Sequence, residues 1–124
     1  AEDKGCHVSR GRTKRNEIMF DHGGLLYVYL IYGMHWMLNI VTGNREEPQA
    51  LLIRGQEDIN GPGRLTKALG IDRSFHGEDL VTSPRIWIDN VSVNSHEIIQ
   101  KPRVGIDYAG EYWKNKPWRY VLNI

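Results

Sequence analysis

The sequence predicts an α+β protein: one compact domain with a mainly antiparallel β-sheet, few helices and a protruding β-hairpin. Three observations lead there. Short aliphatic, β-branched and aromatic runs recur between clusters of Gly, Pro and Asn, the pattern of antiparallel strands. Only one segment carries helix punctuation, opened by Asn60-Gly61-Pro62-Gly63 and stopped by Gly70. At 124 residues the chain encloses one core and not two.

Taken in order, residues 1–24 read as loop with a short ordered piece over 16–20. Strands are expected at 25–31, 36–42 and 49–54, with 44–48 turning between the second and third. The helix then runs to about residue 69, with Asn60 as its cap and Pro62 in its first turn. Further strands are expected at 85–89, 101–106 and 118–123.

The run from Gly24 to Val41 is the most informative stretch. It reads as two apolar strands around a tight turn at Gly33, with Tyr32, Met34 and His35 at the turn. Hairpin tips normally carry small polar residues. A large aromatic and a Met held there need a cover, and another chain, a membrane surface or the gap between stacked bases could each supply one.

Alternation along the first strand puts Leu26, Val28 and Leu30 on an aliphatic core face, with Tyr27, Tyr29 and Ile31 opposite. Two neighbouring tyrosines form either one wall of an aromatic slot or a half-buried pair under a loop. Asn39 stands mid-strand among Met37, Leu38, Ile40 and Val41, where a buried carboxamide must find partners. A polar amide beside a tyrosine wall suits a flat heterocycle. For Tyr29 and Asn39 to share a face, the loop must hold an odd number of residues. Gly33-Met34-His35 is the expected loop, pairing Tyr32 with Trp36 and Tyr29 with Asn39. Arg54 is a lone charge closing the third strand.

The net charge of +1 does not announce nucleic acid, but its distribution is uneven. Arg10, Arg12, Lys14 and Arg15 lie within six residues, broken by Gly11 and Thr13. Such a loop is either a phosphate-contacting element or a solvated surface balanced by Glu2, Asp3 and Glu17. Residues 114–119, with Lys114, Lys116, Trp118 and Arg119, carry the same two readings. Cys6 is the only cysteine, so no internal disulfide or thiolate metal cluster is expected, and a reducing compartment fits. No apolar run reaches the ~20 residues of a membrane span, and the charged start is unlike a secretory leader.

Several segments together resemble one family, the alkyladenine (3-methyladenine) DNA glycosylases. They are Glu2-Asp3-Lys4-Gly5-Cys6-His7, residues 12–20, the Tyr-Val-Tyr-Leu-Ile-Tyr-Gly-Met-His core of 27–35, Ala50-Leu51-Leu52-Ile53-Arg54, Asn60-Gly61-Pro62-Gly63-Arg64-Leu65 and Pro102-Arg103-Val104-Gly105-Ile106. The resemblance covers almost the whole chain in order, and the wording is closer to the bacterial branch. It implies a base-excision DNA-repair enzyme that flips alkylated or deaminated purines out of duplex DNA and hydrolyses the N-glycosidic bond. No metal or small-molecule cofactor and no membrane is implied. The expected enzyme is monofunctional, a monomer, and cytoplasmic or nucleoid-associated.

The same resemblance assigns roles. Tyr32 matches the wedge that fills the gap left by the flipped nucleotide, with Met34 beside it. Tyr29, and Tyr27 near it, match the stacking wall, and His7 matches the pocket histidine opposite. Taken alone, His7 reads equally as a structural hydrogen-bonder. Asn39 matches the amide that crowds the 2-amino group of guanine, and Arg54 the arginine near the reacting sugar. Arg10, Arg12, Lys14 and Arg15 are expected along the DNA backbone.

Departures accompany the match. The family's catalytic glutamate and second stacking tyrosine precede the Glu-Asp-Lys motif, so the resemblance places them before residue 1. Glu2 and Asp3 match motif positions that are not the base. One residue fewer separates His7 from Arg12-Thr13 than the pattern has. Residues 54–60 replace a much longer segment, which suggests missing pieces. The alternative to an excision enzyme is a DNA-binding module of the same fold that recognises damage without removing bases.

Overall fold

The computed structural model describes residues 3–9, 11–92 and 97–122. The expected class holds: antiparallel sheets with few helices. Residue contacts fall into two units, one of residues 12–88 and one of 1–11 with 89–124.

In the larger unit, β1 (Leu26–Ile31) and β2 (His35–Val41) form the hairpin, and β3 (Ala50–Leu52) adds to β2, giving a three-stranded antiparallel sheet in the order β1-β2-β3. The aliphatic face is the core face, as expected. Leu26, Val28, Leu38 and Ile71 are buried together, with Trp36, Ile40, Ile53 and Phe75 packed on them. The opposite face is not an open wall along its length. Tyr27 is only 1% exposed, and Met37, Asn39 and Val41 are buried beside it. The 3-10 turn Glu17–Phe20 packs against β1, with its Met19 buried. Burial along β1 fades toward the tip, so the sheet is covered on both faces at its base and opens outward.

The register differs from expectation by one step. Ile31 faces His35, Tyr29 faces Met37 and Tyr27 faces Asn39. The loop is therefore Tyr32-Gly33-Met34, not Gly33-Met34-His35, and Tyr29 lies diagonal to Asn39 rather than directly opposite. The turn closes early because Tyr32 and Gly33 both take positive φ, 51° and 66°. The Met34 N–H then reaches the Ile31 carbonyl at 3.0 Å. Two successive positive φ values match the twist of the flanking strands. The loop still holds an odd number of residues, so Tyr27, Tyr29 and Asn39 share a face.

Beyond β3, a short hairpin of β4 (Gly55–Gln56) and β5 (Ile59–Asn60) closes the link to α1 (Pro62–Leu69). The Gly61 N–H bonds the Arg54 carbonyl at 2.9 Å, pinching the link shut. Gly61, with φ 117°, caps the helix in place of the expected Asn60, which is committed to β5. Gly70 ends it in the left-handed conformation, as expected. The Thr66 hydroxyl donates to the Trp36 carbonyl at 2.8 Å, fixing α1 on β2.

Residues 85–89 are not the expected strand but irregular chain. Arg85 is held by Glu78 at 2.6 Å and lies 3.7 Å over the Phe75 ring. Ile86 packs on the core while Trp87 and Ile88 face outward. The apolar residues that suggested a strand do not alternate, and no strand among the described residues pairs with them.

In the smaller unit, β6 (Ile98–Lys101) pairs antiparallel with β7 (Arg119–Leu122). The strand expected at 101–106 thus lies earlier, because Pro102 has no N–H to continue the ladder. The strand expected at 118–123 is β7, with Asn123 outside the described residues. Between them come a 3-10 turn, Asp107–Ala109, and the four-residue helix α2 (Glu111–Lys114). Asp3 ties the start of the chain to this unit. Its carboxylate receives both Arg103 terminal nitrogens, one at 2.8 Å, and the Gly5 N–H at 2.8 Å.

Candidate functional site

The hairpin delivers its tip to solvent. Tyr32 is 89% exposed and Met34 68%. A bulky residue at positive φ is strained, and Tyr32 gains no burial in return. Nothing in folding requires an aromatic there, and such strain concentrates at functional sites.

Below the tip, Tyr29 is half-buried, its ring 5.0 Å from that of Tyr27 at 40°. The Asn39 amide donates to the Tyr27 carbonyl at 3.2 Å, so the buried carboxamide clamps the two strands at the tyrosine pair. Arg54 follows β3, half-buried, its main chain fixed by Gly61. The hairpin thus brings Tyr27, Tyr29 and Asn39 together, with Tyr32 and Met34 at its end.

The basic loop is ordered by a reciprocal pair of bonds. Asn16 accepts the Thr13 N–H at 2.7 Å, and the Thr13 hydroxyl accepts the Asn16 N–H at 3.2 Å. This turn exposes Lys14 and Arg15. The Arg15 guanidinium lies 5.0 Å over Tyr29 and reaches the Leu30 carbonyl at 3.4 Å. Arg12 lies over Phe20 at 4.3 Å and pairs with Glu46 at 3.1 Å. Arg10 lies outside the described residues.

Sequence reading missed three residues here. A concavity of about 390 Å³ at the outer edge of β1 is lined by Lys14, Arg15, Tyr29, Trp36, Arg73 and His76, among others. Arg73 stands 5.9 Å from the Trp36 ring centre. His76 Nδ1 accepts the Val28 N–H at 3.0 Å, and its ring meets Tyr27 edge-on at 5.8 Å. Burial, then the Arg73 charge, lowers the His76 pKa. The only signal in the sequence was the pairing of Arg73 and His76 around Phe75, in a stretch without periodicity.

In the smaller unit, His7 is exposed on a turn. Asp3 is unsuited to accept a proton. Burial pushes its pKa up, but the hydrogen bonds from Arg103 and Gly5 and the Arg103 charge outweigh that and hold it low. Glu2 lies outside the described residues. The cations of 114–119 have local partners. Lys114 meets Glu111 at 3.3 Å, and Arg119 Nε donates to the Pro102 carbonyl at 2.8 Å. The Lys116 ammonium sits among the Tyr112, Trp113 and Trp118 rings at 4.4, 5.6 and 5.1 Å. Among the described residues no three His, Cys, Asp or Glu side chains gather as a metal site. No helix there is long and apolar enough to cross a membrane.

Comparison with known proteins adds a family match. The family model described as Methylpurine-DNA glycosylase (MPG) matches residues 1–60 and 55–124. A protein of Natranaerobius thermophilus named "Putative 3-methyladenine DNA glycosylase" is 40% identical, over 98% of this chain and 72% of its own length. Proteins of the same name from Chlamydia felis and Borrelia garinii are 41% and 40% identical, over 99% and 97% of this chain and 73% and 71% of their own. The Natranaerobius alignment spans 144 positions, more than the 124 residues of the chain itself. The two family matches meet at 55–60, where the β4–β5 hairpin makes a short link.

Proposed function

From the premise that this chain belongs to the methylpurine-DNA glycosylase family, we propose that it is a DNA-repair domain that takes a damaged purine out of duplex DNA for hydrolytic removal. The observation that carries this reading is the hairpin tip: a strained, exposed tyrosine beside an exposed methionine, on strands that also carry a tyrosine pair and its amide clamp. Flipping a nucleotide costs a few kcal/mol in lost stacking and pairing, and enzymes acting on bases are known to flip them. An apolar wedge at Tyr32 and Met34 offsets part of that cost by filling the vacated stack.

Tyr29 then offers the flipped base a ring face, worth roughly 1–3 kcal/mol per base. A cationic alkylated purine gains further on such a face. Arg15 lies over Tyr29. A phosphate that draws Arg15 away would bare the ring as the base arrives. Asn39 has its amide committed to Tyr27, and the resemblance assigns it the discrimination against guanine. The same resemblance assigns Arg54 the sugar side.

Base release from duplexes carrying 3-methyladenine or hypoxanthine, by the protein at its full natural length, tests the reading. Free purine released without strand scission is the expected result. Preferential binding of damaged duplex without release would instead support the non-catalytic module. Equal binding of damaged and intact duplex would sink both.

Lys14 provides a separate check on the DNA surface. Salt dependence is expected to be steep, with a log–log slope of roughly 0.9 per phosphate neutralised. Lys14→Ala should lower that slope by about one on every sequence alike. An unchanged slope would leave Lys14 a solvated surface charge. Because Lys116 is enclosed by rings, Lys116→Ala should change the slope less than Lys14→Ala does.

A further inference from the structure

The free edge of β1 is closed by side chains and loops rather than by another strand. At its base, the Leu26 N–H and carbonyl bond Glu78 and Gly77, each at 2.8 Å. One step further out, the Val28 N–H is met by the ring of His76. Val28 lies between the two tyrosines, and the same ring packs edge-on against Tyr27. A single imidazole therefore holds both the backbone between Tyr27 and Tyr29 and one of their rings. From this geometry, and resting on the function proposed above, we infer that His76 is a positioning residue that sets the tyrosine pair for the flipped base.

The bond has a definite protonation requirement. Nδ1 accepts a backbone N–H, so the ring must be neutral with its proton on Nε2. A protonated ring would turn a donor toward a donor and release the β1 edge. The charges facing His76 come from four segments. Arg73 stands on its own, with Asp72 and Glu78 nearby; Glu78 is taken by Arg85. The basic loop contributes Arg12, Lys14 and Arg15, and the 3-10 turn contributes Glu17 and Asp21. Arg45 and Glu46 complete the surroundings, paired with Asp21 at 3.6 Å and with Arg12 at 3.1 Å. With those pairs cancelled, Lys14, Arg15 and Arg73 outnumber Glu17 and Asp72. That balance opposes protonation, as burial of the ring does.

The test measures the ratio of affinities for a hypoxanthine-containing and an intact duplex between pH 5 and 8. It is combined with NMR of the Val28 amide and the tyrosine rings. Taking a ratio removes the general gain in phosphate attraction that every protonated histidine brings. In the wild type the ratio should fall about 2- to 12-fold as pH drops through the His76 titration, the worth of one net hydrogen bond. The Val28 amide should move with the same midpoint, below the usual imidazole value of about 6.5.

His76→Phe keeps a ring on Tyr27 but no acceptor, and should hold the low ratio at every pH. His76→Asn places a non-titrating oxygen near the Nδ1 position and should restore the ratio while removing its pH dependence. The chain carries four other histidines, so the assignment rests on the difference between wild type and His76→Asn. No preference for hypoxanthine at any pH overturns the proposed function, and this inference with it. A preference that His76→Phe leaves intact, or a Val28 amide that ignores the His76 titration, overturns the inference alone.

Discussion

Tyr32→Ala is expected to weaken binding to duplex containing an abasic-site analogue by roughly 5- to 150-fold, the worth of one aromatic–base stack. Its melting temperature should stay within a degree or two of wild type. The two readouts separate because Tyr32 is almost wholly exposed. Tyr32→Gly sharpens the contrast. Positive φ costs an L-residue roughly 1–2 kcal/mol, a cost glycine does not carry, against roughly 0.5–1 for its greater freedom when unfolded. Tyr32→Gly should therefore melt at or slightly above wild type while binding as poorly as Tyr32→Ala. Retained affinity in both, with an intact fold, would remove the wedge from the proposal.

Asp3→Asn is expected to destabilise the protein by roughly 1–3 kcal/mol at pH 7, the cost of removing the acceptor from a part-buried charged donor. Asp3 and Arg103 side chains are both about one-fifth exposed, and Arg103 Nε is already buried without a hydrogen-bond partner. Loss of the carboxylate leaves the guanidinium with the Trp113 carbonyl at 3.3 Å and the Trp118 ring at 5.1 Å. The pH dependence has a fixed sign. The folded pKa is depressed, so the contribution is fully present above the unfolded value of about 3.9 and is lost as pH falls through the folded one. Melting curves from pH 7 down to 2 should converge for wild type and Asp3→Asn at the acid end. A constant gap would mean that the pair acts through packing alone.

The hairpin was legible because its signals are local: an unbroken apolar run, period-two alternation and a glycine at the turn. Its last detail was not, because turn rules give positive φ to glycine or asparagine and here a tyrosine adopts it first. Asn60 failed as a helix cap for a similar reason. Its side-chain type suits the role, but pairing with Gly55 commits it to a strand. At 85–89 the apolar composition suggested a strand, but a strand is defined by a partner, and none of the described residues supplies one. The tyrosine face was identified, yet the full burial of Tyr27 depends on His76 and the 17–20 turn arriving from elsewhere in the chain. His76 itself sits 48 residues from the amide it holds, beyond any local pattern. The cations of 114–119 show the same limit: composition placed them at a surface, and their partners among rings and carbonyls could only be seen folded.

The three-residue loop restricts how this hairpin can change length. Inserting or deleting one residue between Ile31 and His35 would rotate every side chain of β2 to the other face relative to β1. Asn39 would then point into the aliphatic core, and Leu38 would replace it beside the tyrosines. Two residues added or removed would keep the faces and alter only the reach of the tip. Length variants of this loop should accordingly survive in steps of two, and a relative that differs by one residue would need a compensating bulge in β2.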